Sequence, residues 1–159
     1  MEIRKLVRED VPALEEILNA TGVFTPEEVD VALELMGIFL NQPGQKDYDI
    51  HVAVDADGSR LGYFWIGPTP VTEGTFDLYW IAVDPRRHNR GIGKELQRFM
   101  EDVVRKQGGR LLVAETSGRP QYESTRKFYI ATGYEEVSRI RDYYRPGDDL
   151  VVYGKYLSQ

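Results

Sequence analysis

Hydrophobic and polar positions in the N-terminal part of the chain change from a strand pattern to a helical one. Residues 2–7 alternate loosely between polar and apolar side chains, which is typical of an edge strand. Asp10 precedes an apolar helical stripe that ends at Gly22, so we expect it to cap that helix. Thr25 is followed by Pro26 and two glutamates, which is the spacing of a capping box at the start of a second helix. The pattern predicts the order strand, helix, helix.

Strand patterns dominate the middle of the chain. Two apolar segments, 49–55 and 60–67, flank an Asp-Gly turn and therefore predict an antiparallel hairpin. A third segment, 75–83, is rich in aromatic and β-branched residues and stops before Pro85. We therefore expect three consecutive strands in this part of the chain.

The last third of the chain begins with a helical pattern. The apolar stripe starts after Gly91 and ends at Gly108 and Gly109. The strand that follows, 110–114, should run parallel to 75–83 because a helix connects the two. A further helix and two strands complete the chain, over 120–132, near 134–144 and near 149–157. This order predicts an α/β fold in one domain over residues 1–159, with a mixed sheet that is antiparallel at both ends and has helices on both faces.

Composition excludes several classes of protein. Lys and Arg number 20 against 26 Asp and Glu, and the net charge of -6 disfavours nucleic acid and anionic membranes as partners but suits a cationic substrate. The absence of Cys excludes disulfides and a cysteine nucleophile. Two His are too few for a histidine-built zinc site, so no metal is predicted, although carboxylate sites stay open. No signal peptide or membrane-spanning pattern is present, which predicts a cytoplasmic location.

The segment between strand 75–83 and the next helix combines positive charge with glycine. A helix start offers unpaired N–H groups and a positive dipole end, and glycines allow an anion to approach the backbone closely. The segment does not match a P-loop, because Gly93-Lys94 is followed by Glu95. It predicts a phosphate-binding loop, with a solvated basic patch as the alternative. The contributing residues are Arg86, Arg87, Arg90, Gly91, Gly93 and Lys94.

The sequence of residues 88–93, His-Asn-Arg-Gly-Ile-Gly, resembles the signature of the GNAT N-acetyltransferase superfamily, Gln/Arg-x-x-Gly-x-Gly/Ala. The resemblance extends over nearly the whole chain, including the strand that ends in Ile-Ala-Val-Asp-Pro and a Phe-Tyr-x-x-x-Gly-Tyr pattern at 128–134. His88 stands where the family usually has Gln or Arg. The resemblance implies a three-layer sandwich around a mixed, mostly antiparallel sheet of about seven strands, and acetyl-coenzyme A as the acetyl donor. It implies that Ile81, Ala82, Val83, His88, Asn89, Arg90, Gly91, Ile92, Gly93 and Lys94 bind this cofactor.

Acetyl transfer to an amine requires removal of a proton from the amine and benefits from an acid at the departing thiolate. The resemblance implies direct attack in a ternary complex and gives Tyr129 the role of the acid, with a core aromatic as the alternative. Asp77 and Glu115 compete for the role of base, and each is alternatively a solvated carboxylate at a strand end. Aromatic faces suit a cationic amine, so four aromatic residues are candidates for an acceptor pocket. These are Tyr63, Trp65, Tyr143 and Tyr144.

The expected function is therefore transfer of an acetyl group from acetyl-coenzyme A to a primary amine. The expected partner is a small-molecule or peptide amine, with no nucleic acid and no membrane. Two alternatives stay open: a non-catalytic sensor that binds coenzyme A, and an interaction protein with the same fold. The acceptor, the choice between the two carboxylates and assembly as a homodimer also stay open.

Overall fold

The structure is a computed structural model that describes residues 1–87 and 90–158. The predicted helices and strands are present within a few residues of their expected positions. The strands are β1 (Glu2–Lys5), β2 (Asp49–Val54), β3 (Arg60–Pro68), β4 (Thr75–Val83), β5 (Leu111–Ser117), β6 (Glu135–Arg145) and β7 (Asp148–Tyr156). The helices are α1 (Val11–Thr21), α2 (Pro26–Asn41), α3 (Ile92–Lys106) and α4 (Glu123–Ala131), and short 3-10 turns precede α1 and α4.

The seven strands form one mixed sheet in the order β1-β2-β3-β4-β5-β7-β6. Neighbouring strands pair antiparallel at both ends of the sheet, whereas β4 and β5 are parallel. The sheet therefore confirms the predicted α/β fold and its parallel crossover. Among the described residues, no helix has the length and apolar character that crossing a membrane requires.

Two compact units can be described within the chain. The first comprises Met1–Gly67 with Trp80–Met100, and the second comprises Pro68–Tyr79 with Glu101–Gln159. Strand β4 and helix α3 each contribute residues to both. The prediction of one domain over residues 1–159 stays a prediction.

In the first unit, α1 and α2 pack their apolar stripes on β2 and β3. The predicted cap of α2 is confirmed, because the Thr25 hydroxyl accepts a hydrogen bond from the Glu28 amide at 3.2 Å. Gly22 ends α1 in the left-handed region, with φ +69°, as its position in the sequence predicts. The core of this unit includes Leu14, Ile17, Leu18, Val29, Met36, Ile50, Val52, Tyr63 and Trp65.

Asp10 stands before α1 as predicted, but its side chain does not cap the helix. Its fully buried carboxylate accepts hydrogen bonds from Arg4 at 2.8 and 3.0 Å, from Arg60 at 2.8 Å and from the Val7 amide at 2.9 Å. The predicted capping role is wrong because these donors hold the carboxylate away from the helix amides. Burial by itself raises the pKa of Asp10, but the hydrogen bonds from Arg4, Val7 and Arg60 outweigh it and the net pKa is lowered.

We expect Asp10→Asn to lower the free energy of unfolding by about 2 kcal/mol at neutral pH. The loss is smaller than for a fully buried ion pair because Arg4 and Arg60 remain 30% and 27% exposed and can be rehydrated. Since the folded pKa is lowered, the contribution of Asp10 is present above pH about 4 and is lost as pH falls through the folded pKa. Denaturant unfolding between neutral and acid pH measures both effects. The control is Asp47→Asn at an exposed site, and equal stability of the two variants would contradict the prediction.

In the second unit, close packing at Gly109 fixes the start of β5. A β-carbon at Gly109 would lie 2.2 Å from the Val104 side chain and 2.9 Å from Phe76, so no larger residue fits. β5 then pairs with β4 on one side and with β7 on the other. The two candidate carboxylates, Asp77 in β4 and Glu115 in β5, therefore belong to the same unit.

Candidate functional site

The glycine-rich segment leads into α3, as the sequence predicts. The Glu95 amide makes the first helical hydrogen bond, to the Gly91 carbonyl at 3.1 Å, so the amides of Ile92, Gly93 and Lys94 have no acceptor within the helix. Gly91 has φ +69°, and a β-carbon there would enter open space. Three such amides at the positive end of a helix of 15 residues form a cradle that fits an anion.

Two of the four cationic side chains near this cradle are held by carboxylates of the chain itself. Arg86 pairs with the buried Asp84 at 2.8 Å, and Arg90 pairs with Asp55 at 2.9 Å. Within the part of the chain that is described, Arg87 and Lys94 form no ion pair. Arg86 and Arg90 therefore shape the loop, while Arg87 and Lys94 leave their charge available. The predicted cofactor residues His88 and Asn89 lie outside the described residues.

The predicted cofactor residues at the end of β4 have a fixed backbone. Ala82 is buried, and a β-carbon on Gly62 of β3 would lie 2.5 Å from the Ala82 carbonyl oxygen. The Asp84 amide also donates to the Leu61 carbonyl at 2.8 Å. Contact with β3 therefore holds the backbone of Ile81–Val83 just before the loop. Their role in binding stays a prediction.

The two candidate carboxylates differ in their surroundings. Asp77 is half-buried, and one of its oxygens accepts hydrogen bonds from the Thr69 hydroxyl at 2.9 Å and the Tyr79 hydroxyl at 3.4 Å. Glu115 is exposed. Asp77 stands opposite Val113 in the parallel ladder, and side chains two apart in a strand share a face. Asp77, Tyr79 and Glu115 therefore lie on the same face of the sheet.

The parallel pairing of β4 with β5 stops at the residue before Glu115. Its pairs run from Thr75–Leu111 to Leu78–Ala114, and the next residues are Tyr79 and Glu115. Strands that stop pairing leave backbone N–H and C=O groups that need other partners. The end of the ladder thus provides backbone polar groups beside the carboxylates.

Tyr129 lies on the other face of the same part of the sheet. Its ring is buried against Tyr134 at 5.1 Å and Tyr153 at 5.4 Å between centroids. Tyr153 is the partner of Ala114 in the β5–β7 ladder, and residues opposite each other in a ladder share a face. Since Ala114 and Glu115 are consecutive in β5, Tyr129 and Glu115 lie on opposite faces.

Hydrogen bonds fix both ends of helix α4, which carries Tyr129. Arg126 donates to the carbonyls of Ser117 and Arg119 at 2.7 and 2.8 Å, and Lys155 donates to that of Thr132 at 2.7 Å. The Tyr129 hydroxyl makes no hydrogen bond with any of the described residues. Burial raises the pKa of this hydroxyl, so it stays protonated at neutral pH. It is therefore a fixed proton donor with no acceptor inside the described chain.

The four aromatic residues predicted for an acceptor pocket belong to different units of the chain. Tyr63 and Trp65 belong to the hydrophobic core of the first unit, where Tyr63 is 1% exposed. Tyr143 and Tyr144 belong to β6 in the second unit, with their rings edge-to-face at 5.0 Å. Burial, and then the nearby charge of Glu115, raise the pKa of Tyr144. Tyr63 and Trp65 are core residues, whereas Tyr144 lies within the electrostatic reach of a candidate base.

Thr69 is a site residue that the sequence does not indicate. It lies in the loop between β3 and β4, eight positions before Asp77, and no periodicity connects the two. Tyr79, by contrast, follows Asp77 by two residues in a strand, so alternation predicts their contact. Of the residues that the structure describes, none form a cluster of three or more acidic, His or Cys side chains that could hold a metal ion.

The known proteins to which this chain is similar include acetyltransferases in each comparison, by family model, by sequence and by structure. A family model for the acetyltransferase (GNAT) domain matches residues 46–136. A solved GNAT-family structure from Desulfovibrio desulfuricans is 40% identical, covers 99% of both chains and has a TM-score of 0.92. The N-alpha-acetyltransferase RimI of Mycobacterium tuberculosis is 33% identical over 98 residues, which span 60% of this chain and 58% of that protein. A structure of an aminoglycoside 6'-N-acetyltransferase complexed with coenzyme A is 16% identical, covers 100% of this chain and 99% of its own, and has a TM-score of 0.76.

Proposed function

Because the chain belongs to the GNAT family of acetyltransferases, we propose that it transfers the acetyl group of acetyl-coenzyme A to a primary amine by direct attack in a ternary complex. The absence of Cys from the sequence agrees with a reaction that needs no covalent enzyme intermediate. The net charge of -6 favours an acceptor that is cationic in solution. The acceptor is an amine of a small molecule or of a peptide.

The residues at the start of α3 fit the pyrophosphate of acetyl-coenzyme A. The amides of Ile92, Gly93 and Lys94 have no acceptor within the helix, a β-carbon at Gly91 would enter open space, and Arg87 and Lys94 add charge of the right sign. Family membership and the coenzyme A complex of a protein with this fold support the same donor. The backbone of Ile81–Val83 is the proposed contact for the rest of the cofactor.

The observation that carries the mechanism is the arrangement at the end of the β4–β5 ladder. The hydroxyl of Tyr129 belongs to one face of the sheet, and the carboxylates of Asp77 and Glu115 belong to the other. An acid and a base on opposite faces suit a reaction in which the thiolate leaves on one side and the amine enters on the other. Tyr129 is protonated at neutral pH and is proposed to donate to the leaving sulfur.

Asp77 is the proposed base. An ammonium group with a pKa of about 10 must lose a proton before attack. The hydroxyls of Thr69 and Tyr79 hold the Asp77 carboxylate in one orientation, whereas Glu115 is exposed. A fixed carboxylate on the face of the incoming amine is placed to receive the proton directly or through a water molecule.

We expect Asp77→Asn to depress turnover below neutral pH more than Glu115→Gln does. The amide keeps the size of the side chain and its contact with Thr69 but cannot take a proton. The expected loss is roughly 10²-fold, within the range of a removed general base. The measurement is the pH profile of kcat for the wild type and both variants with the same amine.

The comparison of the two variants decides between the carboxylates. If Glu115→Gln flattens the acid limb and Asp77→Asn leaves it unchanged, Glu115 is the base. If both profiles match the wild type, the amine loses its proton to bulk water and neither carboxylate has the proposed role.

Two measurements separate this function from the alternatives. A thermal shift with acetyl-coenzyme A is expected for an enzyme and for a sensor, but not for an interaction protein that retains only the fold. Release of free thiol that depends on an added amine is expected for the enzyme alone. Binding without such release would favour the sensor.

A further inference from the structure

Within the described residues of the second unit, the helices lie on one face of the sheet. Lys155 of β7 donates to the Glu101 carboxylate of α3 at 2.9 Å and to the Thr132 carbonyl at the end of α4 at 2.7 Å. Tyr153, which shares a face of β7 with Lys155, packs against Tyr129 of α4. Both helical segments of this unit therefore cover the face of Tyr153 and Lys155, and neither covers the opposite face.

The opposite face holds a row of apolar positions that starts beside Asp77. Val113 pairs with Asp77 in the β4–β5 ladder, and Gly154 pairs with Val113 in the β5–β7 ladder, so the three positions share this face. A β-carbon on Gly154 would lie 3.2 Å from a methyl carbon of Val137 and 3.7 Å from one of Leu111. These two side chains therefore adjoin the backbone of Gly154. We call Leu111, Val113, Val137 and Gly154 the apolar strip.

The apolar strip is partly open to solvent and has a defined length. Val137 is 49% exposed, and the other two side chains of the strip are half-buried. Adjacent strands lie about 4.8 Å apart, so the strip extends about 10 Å from Asp77 to Gly154. Glu135 pairs with Gly154 in β6 and marks its outer end. The surface is therefore acidic at Asp77 and apolar over the next two strands.

This arrangement suits an amine that carries an apolar group. An ammonium group that gives its proton to Asp77 must come within reach of that carboxylate, directly or through one water molecule. Val113 lies one strand away on the same face, so the carbon atoms attached to the nitrogen can extend over the strip. An apolar substituent there removes its own surface and that of Val113 from water, whereas a charged substituent loses water without gaining a partner.

We propose that the apolar strip binds the substituent of the acceptor, and that the acceptor is a primary amine with an alkyl or arylalkyl group attached to the nitrogen. This inference rests on the proposed function, because it needs the amine to reach Asp77. A free alkylamine and the N-terminus of a peptide with an apolar first side chain share this chemistry.

The test compares kcat/KM for ethylamine, butylamine and hexylamine at a saturating concentration of acetyl-coenzyme A. We expect kcat/KM to rise by roughly two- to fourfold for each added methylene group. Butylamine should exceed 1,4-diaminobutane, which places a second ammonium group over the strip. A larger gain from glycinamide to leucinamide than from ethylamine to hexylamine would identify a peptide N-terminus as the source, and a smaller gain would identify a free alkylamine.

Three matched variants test whether the strip causes this preference. Val113→Thr and Val137→Thr keep the shape of the side chain but make it polar. Each should lower the ratio of kcat/KM for hexylamine to that for ethylamine by roughly three- to tenfold. Val31→Thr makes the same change at a 47% exposed position of α2 in the first unit and should leave the ratio unchanged. Circular dichroism of each variant confirms that it is folded.

Three results would overturn the proposal while leaving acetyl transfer in place. They are a flat or falling dependence on chain length among acetylated amines, a preference for 1,4-diaminobutane over butylamine, and a ratio that Val113→Thr and Val137→Thr leave unchanged. The last result, combined with a lower molecular mass of Val137→Thr in solution, would show that a second copy of the chain covers the strip. If acetyl-coenzyme A binds but no amine releases thiol, the proposed function fails and this inference fails with it.

Discussion

Tyr129→Phe is expected to lower turnover by roughly 10²–10⁴-fold, the range for loss of a general acid, while the KM for acetyl-coenzyme A changes little. The substitution removes one hydroxyl and leaves the ring packed against Tyr134 and Tyr153. Since that hydroxyl makes no hydrogen bond with the described residues, its removal leaves no partner unsatisfied. The folded structure should therefore persist and the loss should be confined to the chemical step.

Tyr153→Phe is the matched control. Tyr153 packs directly against Tyr129, is also buried and has no proposed role in catalysis. Its variant should retain wild-type turnover. If both variants lose activity equally, the aromatic cluster acts through packing, and if neither loses more than a few fold, Tyr129 is a core aromatic.

Gly91→Ala is expected to weaken binding of coenzyme A by roughly 10²-fold, through loss of charge-assisted hydrogen bonds to the backbone amides that start α3. The added methyl group would enter space that is open in the structure and that the proposed pyrophosphate needs for close approach to the backbone. A residue other than glycine at φ +69° also costs about 1 kcal/mol of stability. The binding measurement is isothermal titration with coenzyme A.

Gly22→Ala separates the effect on binding from the backbone strain. Gly22 has the same φ of +69° and equally open surroundings, but it ends α1 rather than starting α3. Both variants should lose similar stability, and only Gly91→Ala should lose affinity. Equal affinity of the two variants for coenzyme A would remove the start of α3 from the binding site.

Helices and strands were predictable from the sequence where a local residue pattern determines their bounds. The bounds of β4, Thr75–Val83, follow from a run of β-branched and aromatic residues that stops before Pro85. The start of α2 follows from Thr25 and the residues after it. In both cases the decisive contacts lie within a few residues in the sequence.

Contacts between distant residues were not predictable in the same way. The carboxylate of Asp10 follows the rule for a helix cap in the sequence, but Arg60, 50 residues later, competes for it. The hydroxyl of Thr69 reaches Asp77 only because the loop before β4 folds back. The exposure of β6 has no sequence signal either, because its apolar residues resemble those of a strand with one covered face.

The candidate site was predictable as a set of residue types, and its geometry was not. Tyr129 follows from the Phe-Tyr pattern before Gly133, and Asp77 follows from its place in β4. That they belong to opposite faces depends on the register of three strands, which places Val113 beside Asp77 and Ala114 beside Tyr153. Strand register is determined by the whole sheet and cannot be assigned from one strand.

The most direct test of the proposed reaction is the steady-state rate of thiol release with acetyl-coenzyme A and a panel of amines, combined with the mass of the product. Direct attack in a ternary complex predicts that thiol appears only when an amine is present, that the amine gains one acetyl group, and that double-reciprocal plots intersect. Parallel plots would indicate a covalent acetyl-enzyme and contradict direct attack. Binding of acetyl-coenzyme A with no amine-dependent thiol release would contradict acetyl transfer to an amine.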